Sequence, residues 1–397
     1  MIGCALDPKL TRKEVGDFKF PLGAYPIETM TPVAGYTLHF EPADSDNNPE
    51  EWEAWPDRYV FDIVVSTERL EPLCRLLFSM LPSRIFPIVD FLGHDAFREV
   101  DPYMAYELVP LDMFTDGIRR FRDFFFEDGM CGFGAMCEEP FLYMFIDEHK
   151  IVTIRVDPGM KDRIERVLKA FGLAEVEESA GSDAASHEHR SVLLVRPEHP
   201  DLLGAEEIVE RLRERWNLVL NIDPETNIDE EGEPLGVTPW RIIVRVDSNV
   251  APRADAPPLT TEDIKTPSGP MSGGTPQRKP VPEFVQHYAH VLLYADSLRA
   301  AEETAQTEIE HLLASSPPPS QTSQAAPSAR RATPATAGDE VEKVPDRAEA
   351  AAEQERDLLI VAAIRLDQAD FDELAGKKKG RGGAKTAGKV VKTEWLQ

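Results

Sequence analysis

Two stretches of this chain cannot bury a face, and they limit how everything else can be assembled. Residues 251–280 hold seven prolines in thirty positions, and residues 315–344 are a low-complexity run of Ser, Pro, Ala and Thr. Neither shows the apolar period of a helix or a strand, and each proline fixes φ and removes a backbone donor. Folded parts must therefore lie between them. The expected organisation is an amino-terminal α+β domain over 1–177 and a soft linker over 178–190. A βαββ unit follows over 191–250, then the disordered Pro-rich linker 251–280 and a βα unit over 281–314. A disordered low-complexity linker spans 315–350, a final strand region 351–375 and a basic tail 376–397.

Within the first part, residues 59–66 and 85–92 are rich in β-branched and aromatic side chains and read as strands. Between them Leu70, Leu73, Leu77 and Met80 share one helical face, with Pro72 suited to the first turn. Phe114, Ile118, Phe121 and Phe125 mark one aromatic helix. Residues 141–146 and 151–156 are strands around Asp147-Glu148-His149-Lys150, a polar tetrapeptide suited to a hairpin turn. A helix over 161–171 is signalled by Asp157 as its cap, Pro158, the stripe Ile164, Val167, Leu168, Phe171 and the closing Gly172. Further on, strands are expected at 191–196, 218–222, 240–247, 290–295 and 358–366, with helices over 205–216 and 298–313. SVLLV–helix–WRIIVRVD echoes HVLLY–helix–LLIVAAIRLD, a modest sign of duplicated units. The fold class is α+β, with mixed or antiparallel sheets carrying packed helices and a second half of split ferredoxin-like type interrupted by disordered insertions.

The formal charge is −28, from 71 acidic and 43 basic side chains. Such a surface repels phosphate backbones and anionic lipid, so nucleic-acid binding is expected only through the tail. There Lys377, Lys378, Lys379, Arg381, Lys385, Lys389 and Lys392 face a single carboxylate, Glu394. That segment is either an arm for an anionic partner or a counter-charge for the chain's own acidic body. No apolar run reaches membrane-span length, and none precedes the charged amino terminus as a signal peptide would. Four cysteines, Cys4, Cys74, Cys131 and Cys137, without a C-x-x-C pair point to free thiols and a cytoplasmic setting.

The strongest polar candidate is His94-Asp95 after the 85–92 strand, where a histidine oriented by a carboxylate could act as a base. Gly129, Gly132 and Gly134 follow a helix and precede a strand. That order does not suit a phosphate loop, so they are expected to end the helix and supply positive φ at a turn. Asp44, Asp46 and Asn48 open like a calcium loop, but Pro49 and Trp55 occupy the places of its glycine and glutamate; the run Asp223–Glu233 fails likewise. His187 and His189 alternate in a linker-like segment with no rigid frame, and His287 and His290 fall on opposite sides of a strand. Cys131 or Cys137 with His149 would make a thiolate–imidazole dyad only if the fold brought them together. No cofactor and no metal are expected. No motif is specific enough to carry residues over from a known family.

These readings favour a non-catalytic protein-binding or regulatory adaptor whose partner is another protein. The alternatives are an enzyme with its site near His94 and Asp95 or the Gly129–Gly134 turn, and a nucleic-acid-associated factor using the basic tail.

Overall fold

The computed structural model describes residues 3–43, 55–195, 199, 201–250, 283–315, 356–376 and 386–396. Residues 44–48, 251–280 and 316–350 lie outside these, as do Lys377, Lys378, Lys379, Arg381 and Lys385. The chain is α+β and divides into two compact units, one of Met1–His94 and Arg98–Asp223, the other of Asp95–Phe97 and Pro224–Gln397.

The first unit begins with a ribbon of β1 (Glu14–Val15) and β2 (Phe18–Lys19), followed by β3 (Ala24–Pro26). Next come β4 (Gly35–Glu41), β5 (Arg58–Val64), α1 (Thr67–Phe78), β6 (Arg84–Leu92), β7 (Val100–Ala105) and β8 (Val109–Pro110). Helices α2 (Leu111–Arg120) and α3 (Arg122–Glu127) lead into the meander β9 (Cys131–Cys137), β10 (Leu142–Ile146) and β11 (Val152–Val156). The unit closes with α4 (Lys161–Ala170), β12 (His187–His189), α5 (Ala205–Trp216) and β13 (Leu218–Leu220). Its main sheet is antiparallel, in the order β13-β7-β6-β9-β10-β11-β5-β4, with β8 beside β6; β12 pairs with β3.

Strand alternation sorts this sheet into two faces. Leu142, Met144 and Ile146 of β10 and Val152, Ile154 and Val156 of β11 are fully buried and join Leu70, Leu73, Phe114, Phe125, Ile164, Leu168 and Trp216 from the helices in one core. Each such aliphatic side chain stabilises the fold by about 1.5–3 kcal/mol relative to exposure. On the other face Arg155 lies over Tyr143 and Trp55, and Thr153 donates to Asp62 at 2.8 Å. The expected single aromatic helix is broken at Phe121 (φ −112°, ψ 39°), giving α2 and α3. Gly117 sits under the indole of Trp216, where a Cβ would come within 2.6 Å of the ring. Pro72 lies inside α1 rather than in its first turn. Gly172 (φ 79°) ends α4, while Asp157 accepts from the amide of Phe141 instead of capping.

The second unit is built on β14 (Thr238–Val250), β15 (Glu283–Ala295), α6 (Leu298–Ser315), β16 (Arg356–Arg365), α7 (Gln368–Leu374) and β17 (Lys389–Trp395). The antiparallel order is β16-β14-β15-β17. Both β15 and β16 run against β14, so β15-α6-β16 is a split β-α-β unit. Trp240, Ile242, Val244 and Val246 line one face; on the other, Leu292 and Tyr294 pack with Phe371 of α7.

Three boundaries differ from the sequence reading. Residues 187–189 are a strand, not a linker, because β3 supplies a pairing partner from the far amino terminus. The segment around Val192 and Leu193 makes isolated bonds to Ala5 and Asp7, and α5 and β13 belong to the first unit, with β13 on β7. They therefore do not form a unit with β14. Lys389 and Lys392 are not tail: they lie in β17, paired to β15, where Lys392 meets Glu394 at 2.7 Å.

Asp90 of β6 pairs in register with Gly132 of β9, and burial, together with the charge of Glu148, pushes its pKa up to about 6. The folded protein thus holds this proton through a window, from the ordinary carboxylate value to about pH 6, in which the unfolded chain releases it. Stability from the neutral form is complete below that window and is lost as pH rises through 6. Asp90→Asn should be more stable than the parent at pH 7.5 by roughly 1–3 kcal/mol, with the gap closing near pH 4. Urea denaturation at both pH values checks this; a pH-independent gap would contradict it.

Candidate metal centre

The Asp147–Lys150 hairpin joins β10 to β11, and its geometry follows from its residues. The amide of Lys150 donates to Asp147 O (3.1 Å), Asp147 N to Ile151 O (3.0 Å), and Ile151 N to Asp147 Oδ1 (2.7 Å). Lys150 takes the left-handed conformation (φ 68°) at the turn's last position, where glycine is usual. That costs about 1–2 kcal/mol for a residue with a Cβ. The side chain offsets it: Lys150 is buried and its ammonium donates to the carbonyl of Cys131. The turn held in this way presents His149.

The partners of His149 come from β12. Residues two apart on a strand point the same way, so His187 and His189 share a face while Glu188 points opposite and accepts from Tyr25 (2.7 Å). Backbone contact fixes where this strand lies. Gly23 and Gly129 touch: a Cβ on Gly129 would lie 1.9 Å from Gly23 O, and one on Gly23 would lie 2.1 Å from Gly129 N. The amide of Gly129 donates to Arg190 O and that of Arg190 to Gly23 O. This lock carries β12 to the hairpin.

Three imidazoles converge as a result. His149 Nε2 is 2.9 Å from His187 Nε2 and 3.2 Å from His189 Nε2, and ligand atoms of all three residues lie within 4.8 Å of one another. The rings stand nearly perpendicular to each other, at 76–80°. Each Nδ1 is held from behind. His187 Nδ1 is 2.8 Å from Ala185 O, His189 Nδ1 is 2.9 Å from Gly129 O, and His149 Nδ1 lies 3.4 Å from Asp147 Oδ2 and 3.3 Å from Glu148 Oε1. With the proton of each ring on Nδ1, toward these acceptors, the Nε2 lone pairs would face one another.

A tetrahedral ion bound at about 2.0–2.1 Å holds its nitrogen ligands about 3.3 Å apart. One observed separation matches that, and the other is a few tenths of an ångström shorter. Burial opposes charge on His149, but Asp147, Glu148 and Asp183 outweigh it and raise its pKa; burial lowers that of His189. The residues fit a divalent transition-metal ion.

The other sequence candidates fall elsewhere. His94 is exposed, 3.5 Å from Glu206, while Asp95 is buried in the second unit on Arg365, whose Nε lies 2.9 Å away. Gly132 and Gly134 lie within β9 rather than in a turn, and neither has positive φ. They are needed because the ring of Phe145 and the carbonyl of Met144 leave no room for a Cβ. Cys131 is fully buried and donates to Gly132 O; burial pushes its thiol pKa far up, and that of Cys137 to about 11. Neither is poised as a thiolate. In the 223–233 run, Asp229 turns back to accept from Glu231 and Glu233 amides. His290 pairs with Glu394 at 2.9 Å. A cavity of about 950 Å³ opens between α1, α2 and α3 over Phe78, Leu111, Ile118 and Phe126, but its arginines are paired: Arg75 and Arg122 with Glu71, Arg119 with Asp116.

Sequence reasoning had the local signal, an H-x-H alternation, and missed the frame. The partner strand and the third histidine are distant in sequence. Because Gly129 both makes the backbone lock and holds His189, Gly129→Ala should destabilise the protein by roughly 1–3 kcal/mol. It should also weaken zinc binding about 10–100-fold. Thermal denaturation and zinc titration measure both; unchanged zinc affinity in the folded variant would contradict the assignment.

No protein-family model, curated protein or solved structure matches the chain, so the reading of this site stands on its geometry.

Proposed function

We propose that the protein binds one divalent transition-metal ion through Nε2 of His149, His187 and His189. The supporting observation is the convergence of three Nε2 atoms whose Nδ1 atoms are each held by an oxygen acceptor. Three lone pairs aimed at one point repel unless a cation or a shared proton lies among them. Neutral imidazoles suit zinc and its neighbours in the first transition row, and the oxygen acceptors behind them fix the tautomer and strengthen the donors. The ion would tie the β10–β11 hairpin to β12. Binding free energy at such a site adds to folding free energy, because the ligands are dispersed in the unfolded chain.

The full chain, stripped with chelator and titrated with zinc, should bind one equivalent. His149→Ala, His187→Ala and His189→Ala should each weaken binding at least tenfold. His290→Ala, which removes a histidine of the second unit, should not. Calorimetry with elemental analysis checks this. Full-strength binding by the folded triple variant would overturn the proposal.

A further inference from the structure

We infer that the fourth coordination position of this ion belongs to a ligand from outside the chain: a water or hydroxide exchangeable for a small anion. The inference rests on the metal reading above and concerns what that reading leaves open. Among the described residues, the cluster that could surround an ion at the Nε2 atoms comprises His149, His187 and His189, with no fourth His, Cys, Asp or Glu in it.

Asp183 also bears on His149 but is not part of the cluster, and the groups in contact with the rings serve other roles. Asp147 and Glu148 approach His149 from Nδ1, the side of the ring away from Nε2, so they orient the ligand and do not reach the ion. The carbonyls of Ala185 and Gly129 serve the other two rings in the same way. The Lys150 ammonium and the Cys131 thiol are turned to backbone carbonyls.

Structural zinc sites are closed by four protein ligands, whereas sites with three keep a position for water or substrate. Three neutral nitrogens also leave the ion its full double charge. That charge polarises a bound water and attracts an anionic competitor. The site is therefore of the Lewis-acid type, able to hold and activate a small oxygen or nitrogen donor.

Cobalt(II) reports coordination through its visible absorption. The stripped full chain should take up one cobalt, and azide should then shift the spectrum, saturating at one anion per cobalt. His189→Ala should lose both responses. Cobalt bound through the histidines with a spectrum indifferent to azide would mean that the chain closes the site, overturning this inference while leaving metal binding intact. Failure to bind cobalt or zinc at all would overturn both.

Discussion

The first unit depends on a place where two backbones touch. Gly23 and Gly129 approach so closely that neither tolerates a Cβ, and Arg190 bridges them through its own amide and carbonyl. Glu127 fastens the same junction: its carbonyl accepts from Gly23, and its carboxylate takes both guanidinium nitrogens of Arg12 at 2.8 Å and the amide of Leu22 at 3.2 Å. Glu127 and Arg12 are both largely shielded from water, where a two-point charge-assisted pair holds geometry well. From this junction β3 runs out to pair with β12, and the Gly129 carbonyl is left facing His189. The three-histidine convergence is thus a consequence of backbone packing well outside the imidazoles.

Local patterns gave away much of the scaffold. Residues 59–66, 85–92, 141–146 and 151–156 carry strand chemistry and are strands to within a residue or two. Gly172 supplies the positive φ that its place after the 161–171 stripe demands. Residues 147–150 form the turn their composition suggests. What local pattern could not show is pairing between remote segments. A three-residue strand such as His187–His189 has no period to detect, and the Tyr25–Glu188 contact joins residues 163 apart. The split of the aromatic helix at Phe121 and the placement of α5 and β13 in the first unit are of the same kind. Each is decided by what the segment packs against, as where Trp216 settles over Gly117.

The glycines make a similar point about chemistry. A run such as Gly129, Gly132 and Gly134 suggests conformational freedom, yet none of the three has positive φ. Their use is the absence of a side chain where another backbone, a carbonyl or an aromatic ring must come close. Lys150 is the converse, a residue with a side chain held in the left-handed region because its ammonium has a buried acceptor. Backbone strain of this sort collects where geometry matters more than local stability. Here it adjoins His149.

The central claim, an ion held by three imidazole nitrogens, is tested most directly by X-ray absorption on the zinc-loaded full chain. The account predicts a first shell of nitrogen and oxygen scatterers at about 2.0–2.1 Å, with outer-shell scattering from three imidazole rings. Sulfur scatterers near 2.3 Å, or a shell without imidazole scattering, would contradict it.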